Sequence, residues 1–180
     1  MATVGLKNLF YAECIKDNED TLTYGTPARI GKAIQVDINP QFAKNTLYAD
    51  DAPFATASSM TEITVTIDVA DIPASVVAAL GGHSYDSSNG AITYKADDTP
   101  PYVAIIGESE KHDGSTRYFK LLKGKFNETQ ETIQTKGENV EFTTPKLEGS
   151  FVAREHDGKW KVIVDSTDTS IATSWYASVD

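Results

Sequence analysis

The sequence predicts a mainly β fold, a sandwich or a barrel, with a single short helix. Apolar and polar residues alternate along several segments, which is the period of a half-buried strand. Tight-turn pairs separate these segments, at Asn89-Gly90, Asp113-Gly114 and Asp157-Gly158. Many short strands joined by regular turn signals are typical of β-sandwiches and barrels.

The alternation is clearest in TEITVTIDV, residues 61–69. The apolar members of this strand fall on one face, and a polar set falls on the other, namely Glu62, Thr64, Thr66 and Asp68. IGKAIQVDIN, residues 30–39, alternates in the same way and predicts that Ile34, Val36 and Ile38 point inward. The same reasoning predicts further strands at residues 102–110, 115–126, 138–153 and 159–165.

One helix is predicted in DIPASVVAALGG, which begins at Asp71. Asp71 is the expected N-cap, Pro73 lies in the first turn and Gly81 is expected at the C-cap. Because the segment is short and very apolar, we expect it to pack on a sheet face.

Two segments lack a strong pattern and are read as interaction elements. Residues 40–60 are predicted to form a long loop, and a loop of this length in a compact domain is usually functional. Residues 166–180 are predicted to form a C-terminal arm after a domain that spans residues 1–165. The arm contains Ile171, Trp175 and Tyr176, so we expect it to dock on its own domain or on a neighbouring chain.

Composition excludes several classes of protein. The 180 residues carry a formal net charge of −10, which disfavours nucleic acids and anionic membranes as binding partners. The single cysteine, Cys14, rules out an internal disulfide framework. No apolar run suits a signal peptide or approaches the roughly 20 residues of a membrane span, so we expect synthesis in a cytoplasm.

No catalytic, metal or cofactor site is predicted. His83, His112 and His156 lie in turn regions without ligand spacing, and are read as turn or exposed side chains. Cys14 is read as a buried, inert thiol. The pair Asp50-Asp51 lacks the ladder of oxygen ligands of a calcium loop, and it is expected, like Asp97-Asp98, to cap a turn or contact another chain.

Several stretches, in this order and spacing, resemble the phi13-type major tail proteins of long-tailed phages that infect Gram-positive bacteria. They are VGLKNLFYAE, NTLYADDAP, ITVTIDVADIPASVVAALGGHSYD, DDTPPYVAIIGESEK, YFKLLKGKF and EFTTPKLEGSF. The resemblance covers residues 4–160 and implies two packed antiparallel sheets flanked by a helix. It further implies a virion protein whose hexameric rings stack into the tail tube, through which double-stranded DNA passes without specific binding.

The resemblance also implies partners and residue roles. The partners are other copies of the chain, together with the tape measure, tail terminator and distal tail proteins. The long loop becomes an inter-subunit arm, with contact candidates Leu47, Tyr48, Asp50, Asp51, Phe54 and Met60. An acidic lumen would let DNA slide, and the candidates to line it are Glu62, Asp68 and Glu141.

Two other functions remain open from the sequence. A soluble monomeric β-sandwich that binds a glycan, or acts as an adhesin-like module, would need an exposed aromatic platform, for which Trp160 and Trp175 are the only tryptophans. A hydrolase would need a convergent catalytic site, which the sequence does not display.

Overall fold

The computed structural model describes residues 3–49, 51–127, 144–168 and 170–179. The elements in chain order are β1 Thr3–Asp17, β2 Leu22–Tyr24, β3 Ala28–Arg29, β4 Ala33–Ala49, β5 Ala52–Val69, α1 Ala74–Gly81, β6 Ser84–Asp86, β7 Ala91–Thr93, β8 Val103–Lys111, β9 Thr116–Phe126, β10 Lys146–Phe151, β11 Lys161–Ser166 and α2 Ser170–Ala177. The predicted mainly β fold is confirmed, but the described residues form two short helices and not the single one predicted.

Nine of the strands form one antiparallel sheet that bends around the core. The hydrogen-bonded order is β2-β1-β8-β9-β10-β5-β4, while β11 pairs with β9 and β3 pairs with β1. Strands β5 and β8 are separated by two strands in this order, yet both contribute to the same apolar cluster. The sheet therefore curves until its halves face each other, and the described strands form a sandwich-like layer without closing into a barrel.

Strand β9 is the centre of the fold because it is buried on both faces. Phe119 and Leu121 join the main core, which also contains the inward face of β5 and the buried side of α1. Leu122 points to the opposite face and belongs to a second cluster with Ala104 and Val179. A strand covered on both faces needs apolar residues at consecutive positions. The run YFKLL follows this pattern except at Lys120.

Glycine and phenylalanine pair across the β9–β10 ladder. Gly124 lies opposite Phe151, and Gly149 lies opposite Phe126. The two rings meet edge to face, with centroids 5.8 Å apart. A Cβ atom at Gly124 would lie 2.3 Å from Cγ of Phe151, so only glycine leaves room for the ring.

The predicted helix is confirmed, but both of its predicted caps are wrong. Helix α1 starts one residue after Pro73, which takes the N-cap position, and no side chain caps the helix. Asp71 lies outside the helix because the fixed φ of proline already suits a helix start. The C-cap is Gly82 rather than Gly81, and its left-handed φ of 74° explains the second glycine.

The three turn predictions are confirmed, whereas the inward prediction for Ile34 is wrong. Gly90, Gly114 and Gly158 all have φ between 68° and 82°. Ile34 sits at a register shift between Ala33 and Gln35, and this irregularity leaves it 53% exposed. The part of the predicted 138–153 strand that precedes Thr144 lies outside the described residues, and β10 confirms the remainder.

We predict that Gly124→Ala destabilises the protein by about 1–3 kcal/mol, because the new methyl group overpacks against Phe151. Gly25→Ala is the matched control, since a Cβ atom there meets its nearest neighbour at an ordinary 3.7 Å. Urea unfolding followed by tryptophan fluorescence measures both variants. Equal free energies of unfolding for the two variants would contradict the proposed packing.

Candidate assembly surfaces

Residues 40–49 and 51–60 belong to a long hairpin, so the predicted irregular loop is wrong. Strands β4 and β5 pair antiparallel from Ala33↔Val69 to Ala49↔Ala52, with three register shifts along the way. Pro40 is tolerated because β4 is the last strand of the sheet, where a missing N–H group costs no ladder bond. Small and polar side chains beyond Pro40 hide the alternation that would have predicted a strand.

The part of this hairpin beyond Gln41, residues 42–49 and 51–59, is called the hairpin arm from here on. Its described side chains are all exposed, including four large apolar ones: Phe42, Leu47, Tyr48 and Phe54, with exposures of 57–75%. Met60 lies at the start of the arm and is half-buried against the main core. An isolated two-stranded hairpin is marginally stable in water, and clustered exposed apolar side chains mark interaction sites.

The end of the arm is a tight turn followed by a bulge. Asp51 has a φ of 59°, a left-handed conformation that aspartate tolerates better than most residues. Leu47 pairs with Ala55 and Tyr48 with Pro53, so Phe54 is the extra residue of a bulge and is 75% exposed. Asp51 is thus a turn residue, while Asp50 lies outside the described residues.

The outer faces of β4, β5 and β10 form a second surface, which we call the polar face. The registers Gln35↔Asp68, Asp37↔Thr66, Lys146↔Asp68 and Glu148↔Thr66 place these side chains on one side of the sheet. The predicted alternation in β5 is confirmed, because Ile63, Val65, Ile67 and Val69 are fully buried on the opposite side. Asp37, Glu62, Asp68 and Glu148 outnumber Lys146 and Lys125 here, so the face is acidic.

The lumen candidates on the polar face differ in their contacts. Glu62 accepts a hydrogen bond from the Ser150 hydroxyl. Asp68 lies 3.7 Å from the Lys146 ammonium, and its Oδ1 atom is buried without a hydrogen-bond partner among the described residues. Glu141 lies outside the described residues.

The C-terminal arm docks on its own domain, as helix α2. Asp168 accepts hydrogen bonds from the backbone N–H and the hydroxyl of Ser170, which starts the helix and holds the pKa of Asp168 below its ordinary value. Ile171, Trp175 and Val179 recur every four residues, a helical spacing that could have predicted this second helix.

Trp175 and Tyr176 cover the second face of the β8–β9 layer. The Lys120 ammonium lies 4.3 Å from the centre of the Trp175 ring and donates a hydrogen bond to the Ser178 carbonyl. The Tyr176 ring packs 4.9 Å from that of Phe10, and its hydroxyl donates to Glu108 at 3.1 Å. Burial, with the Glu108 charge, raises the pKa of Tyr176. Ile171 is half-buried in the same helix.

The side chains weighed as catalytic or metal-binding candidates make ordinary structural contacts. His83 follows the C-cap of α1 but is not exposed: its side chain is 10% exposed, with Nδ1 2.7 Å from Asp98 Oδ2. The hydrogen bond from His83 helps to hold the pKa of Asp98 below its ordinary value. Cys14 is half-buried, and burial raises the pKa of its thiol. Among the described residues, no three His, Cys, Asp or Glu side chains converge on a possible metal position.

An open-edged β sheet with an exposed apolar arm is typical of a structural protein that assembles with other chains. The family model described as phage tail tube protein matches residues 32–168. The chain belongs to this family. It is therefore a structural protein of the virion tail that assembles with itself into a tube.

No curated protein matches the chain. In the part of the chain that the structure describes, neither helix is long and apolar enough to cross a membrane.

We predict that Trp175→Ala destabilises the monomer by about 2 kcal/mol, because it removes a half-buried ring from the second cluster. Thr173→Ala is the matched control, since Thr173 lies on the exposed side of the same helix. Thermal unfolding by circular dichroism measures both variants. If both unfold at the wild-type temperature, the helix does not dock as described.

Proposed function

We propose that the protein forms hexameric rings that stack into the tail tube of a long-tailed, phi13-type phage, and that DNA leaves the capsid through this tube. The proposal follows the resemblance of residues 4–160 and the family match over residues 32–168. The working unit is a tube domain of residues 1–165, with residues 166–180 as its C-terminal arm.

The observation that carries the proposal is the unpaired outer edge of β4. In the described part of the chain this 17-residue strand pairs only with β5. A long open edge offers backbone N–H and C=O groups to any other strand, and a closed ring removes that liability. We propose that the sheets of neighbouring copies join at this edge.

The hairpin arm supplies the second contact between copies. Leu47, Tyr48 and Phe54 gain burial only when another chain covers them, since no part of their own described domain does so. Met60 supports the start of the arm from within the core. Asp50 and Asp51 act as turn or contact residues, so replacing both with asparagine leaves monomer folding intact.

The polar face is the proposed wall of the lumen. Glu62 and Asp68 stand on this face, and Glu141 is a further candidate from the sequence. Duplex DNA carries about one negative charge per 1.7 Å of axis, so an acidic wall repels it and a basic wall would retain it. The protein's net charge of −10 agrees with a wall that does not bind DNA.

The proposed partners and origin follow from the same assignment. Tape measure, tail terminator and distal tail proteins would contact the tube along its bore or at its ends. Synthesis would take place in the cytoplasm of a Gram-positive host. The glycan-binding alternative gains no support, because Trp160 and Trp175 are both half-buried and form no exposed platform.

We predict that the purified protein forms hollow tubes of constant bore on concentration, whereas Leu47→Ser/Phe54→Ser forms few or none. The double variant should unfold at the wild-type temperature, because both side chains are exposed in the monomer. Negative-stain electron microscopy and light scattering measure assembly.

Tyr85→Ser is the matched control for this test, since Tyr85 is 40% exposed on the separate β6–β7 hairpin. Wild-type protein that stays monomeric at every concentration, even with tail-tip complexes as seeds, would contradict the proposed function. If Leu47→Ser/Phe54→Ser forms normal tubes, the hairpin arm is not an assembly contact.

A further inference from the structure

An open groove lies at the base of the β4–β5 hairpin, far from the exposed end of the arm. It has a volume of about 380 Å³ and lies between the start of β1, the base of β4, and strands β9 and β11. Its apolar wall consists of Leu6, Ile34, Val36, Ile38, Phe119 and Ile163.

Two of these wall residues are unusually exposed. Ile34 on β4 is 53% exposed and Ile163 on β11 is 45% exposed. Ile34 lies at the register shift between Ala33 and Gln35 and lines the groove together with Val36 and Ile38. A groove lined by exposed isoleucines from two different strands favours an apolar occupant such as an aromatic or leucine side chain.

The rim of the groove is cationic. Arg117 donates two hydrogen bonds to the Asp165 carboxylate, so its charge is paired. Lys161 also lines the groove, and among the described residues no carboxylate forms an ion pair with it. Burial and the neighbouring Arg117 lower the pKa of Lys161. A carboxylate brought to this position would therefore stabilise its charged form.

The end of the hairpin arm complements the groove, because it carries exposed apolar side chains and a carboxylate. Leu47, Tyr48 and Phe54 are 63–75% exposed there, next to Asp51 in the turn. The arm cannot reach the groove of its own chain. Ile38 in the groove and Ala49 at the turn are eleven residues apart along one paired strand, which corresponds to roughly 35 Å.

We infer that the groove receives the end of the hairpin arm of a second copy, with Phe54 between Ile34 and Ile163 and Asp51 beside Lys161. The inference rests on the proposed function, because it names the acceptor for the arm within the tube. In a tube, each copy would give its arm to one neighbour and receive the arm of another, so the contact would be head-to-tail. Such a contact continues from copy to copy, either around a ring or along a stack of rings.

The direct test is disulfide cross-linking of assembled protein. Phe54→Cys/Ile163→Cys is made in a Cys14→Ala background and oxidised under tube-forming conditions. We expect a ladder of dimers, trimers and longer oligomers on a non-reducing gel. Phe54→Cys/Tyr85→Cys in the same background is the control and should give no ladder, because Tyr85 lies outside the groove.

The outcomes separate this inference from the proposed function. If Phe54→Cys/Ile163→Cys forms normal tubes but gives no ladder on oxidation, the groove does not receive the arm, while tube formation is still supported. The groove would then bind another tail protein or none. A wild-type chain that never forms tubes would overturn both.

A charge test addresses Lys161 separately. Lys161→Glu places a carboxylate opposite Asp51, and we expect the critical concentration for assembly to rise about fivefold or more. Lys161→Arg keeps the charge and should assemble close to the wild-type concentration. Both variants should unfold at a similar temperature as monomers. Equal critical concentrations for the two variants would contradict the pairing of Lys161 with the arm.

Discussion

The two-sided burial of strand β9 is the constraint on which the rest of the structure depends. One face of β9 holds the main core, and the other face holds the cluster that α2 covers. Its edges pair with β8 on one side and with β10 and β11 on the other. A strand enclosed in this way makes rigid contacts in all directions, so the neighbouring elements take fixed positions around it.

Strand β5 connects the rigid core to the hairpin arm. The same 18-residue strand contributes four fully buried side chains near its end and the exposed Phe54 near its start. Because β4 and β5 pair along their whole length, despite three register shifts, the arm projects from the core as part of one paired element. An interaction arm built this way loses less conformational entropy on binding than an irregular loop. The polar side of the same strand lies on the opposite face, so one element supplies core, arm and candidate lumen wall.

Much of this fold could be predicted from the sequence because its signals are local. The alternation in residues 61–69 and the three Asx-Gly turns need only neighbouring residues to be recognised. The hairpin arm was missed because alanine, serine and threonine give little contrast between its faces. The exposure of Ile34 could not be predicted, because a register shift depends on the partner strand. The burial of His83 could not be predicted either, because only the fold brings Asp98 beside it.

The candidate surfaces could be predicted only in part. Leu47, Tyr48 and Phe54 stood out as apolar residues in a weakly patterned segment, and the structure leaves them exposed. The groove could not be predicted, since its wall comes from strands β1, β4, β9 and β11, which are distant in sequence. Assembly into a tube is inferred from the family match and the resemblance, because a single chain does not show it.

Cryo-electron microscopy of assembled tubes, at a resolution that shows side chains, tests the central claim most directly. We expect a hollow tube whose bore is lined by the polar face, with Glu62 and Asp68. We also expect every hairpin arm to be covered by another copy. A tube whose polar face points outward, or whose arms lie free in solvent, would contradict this claim.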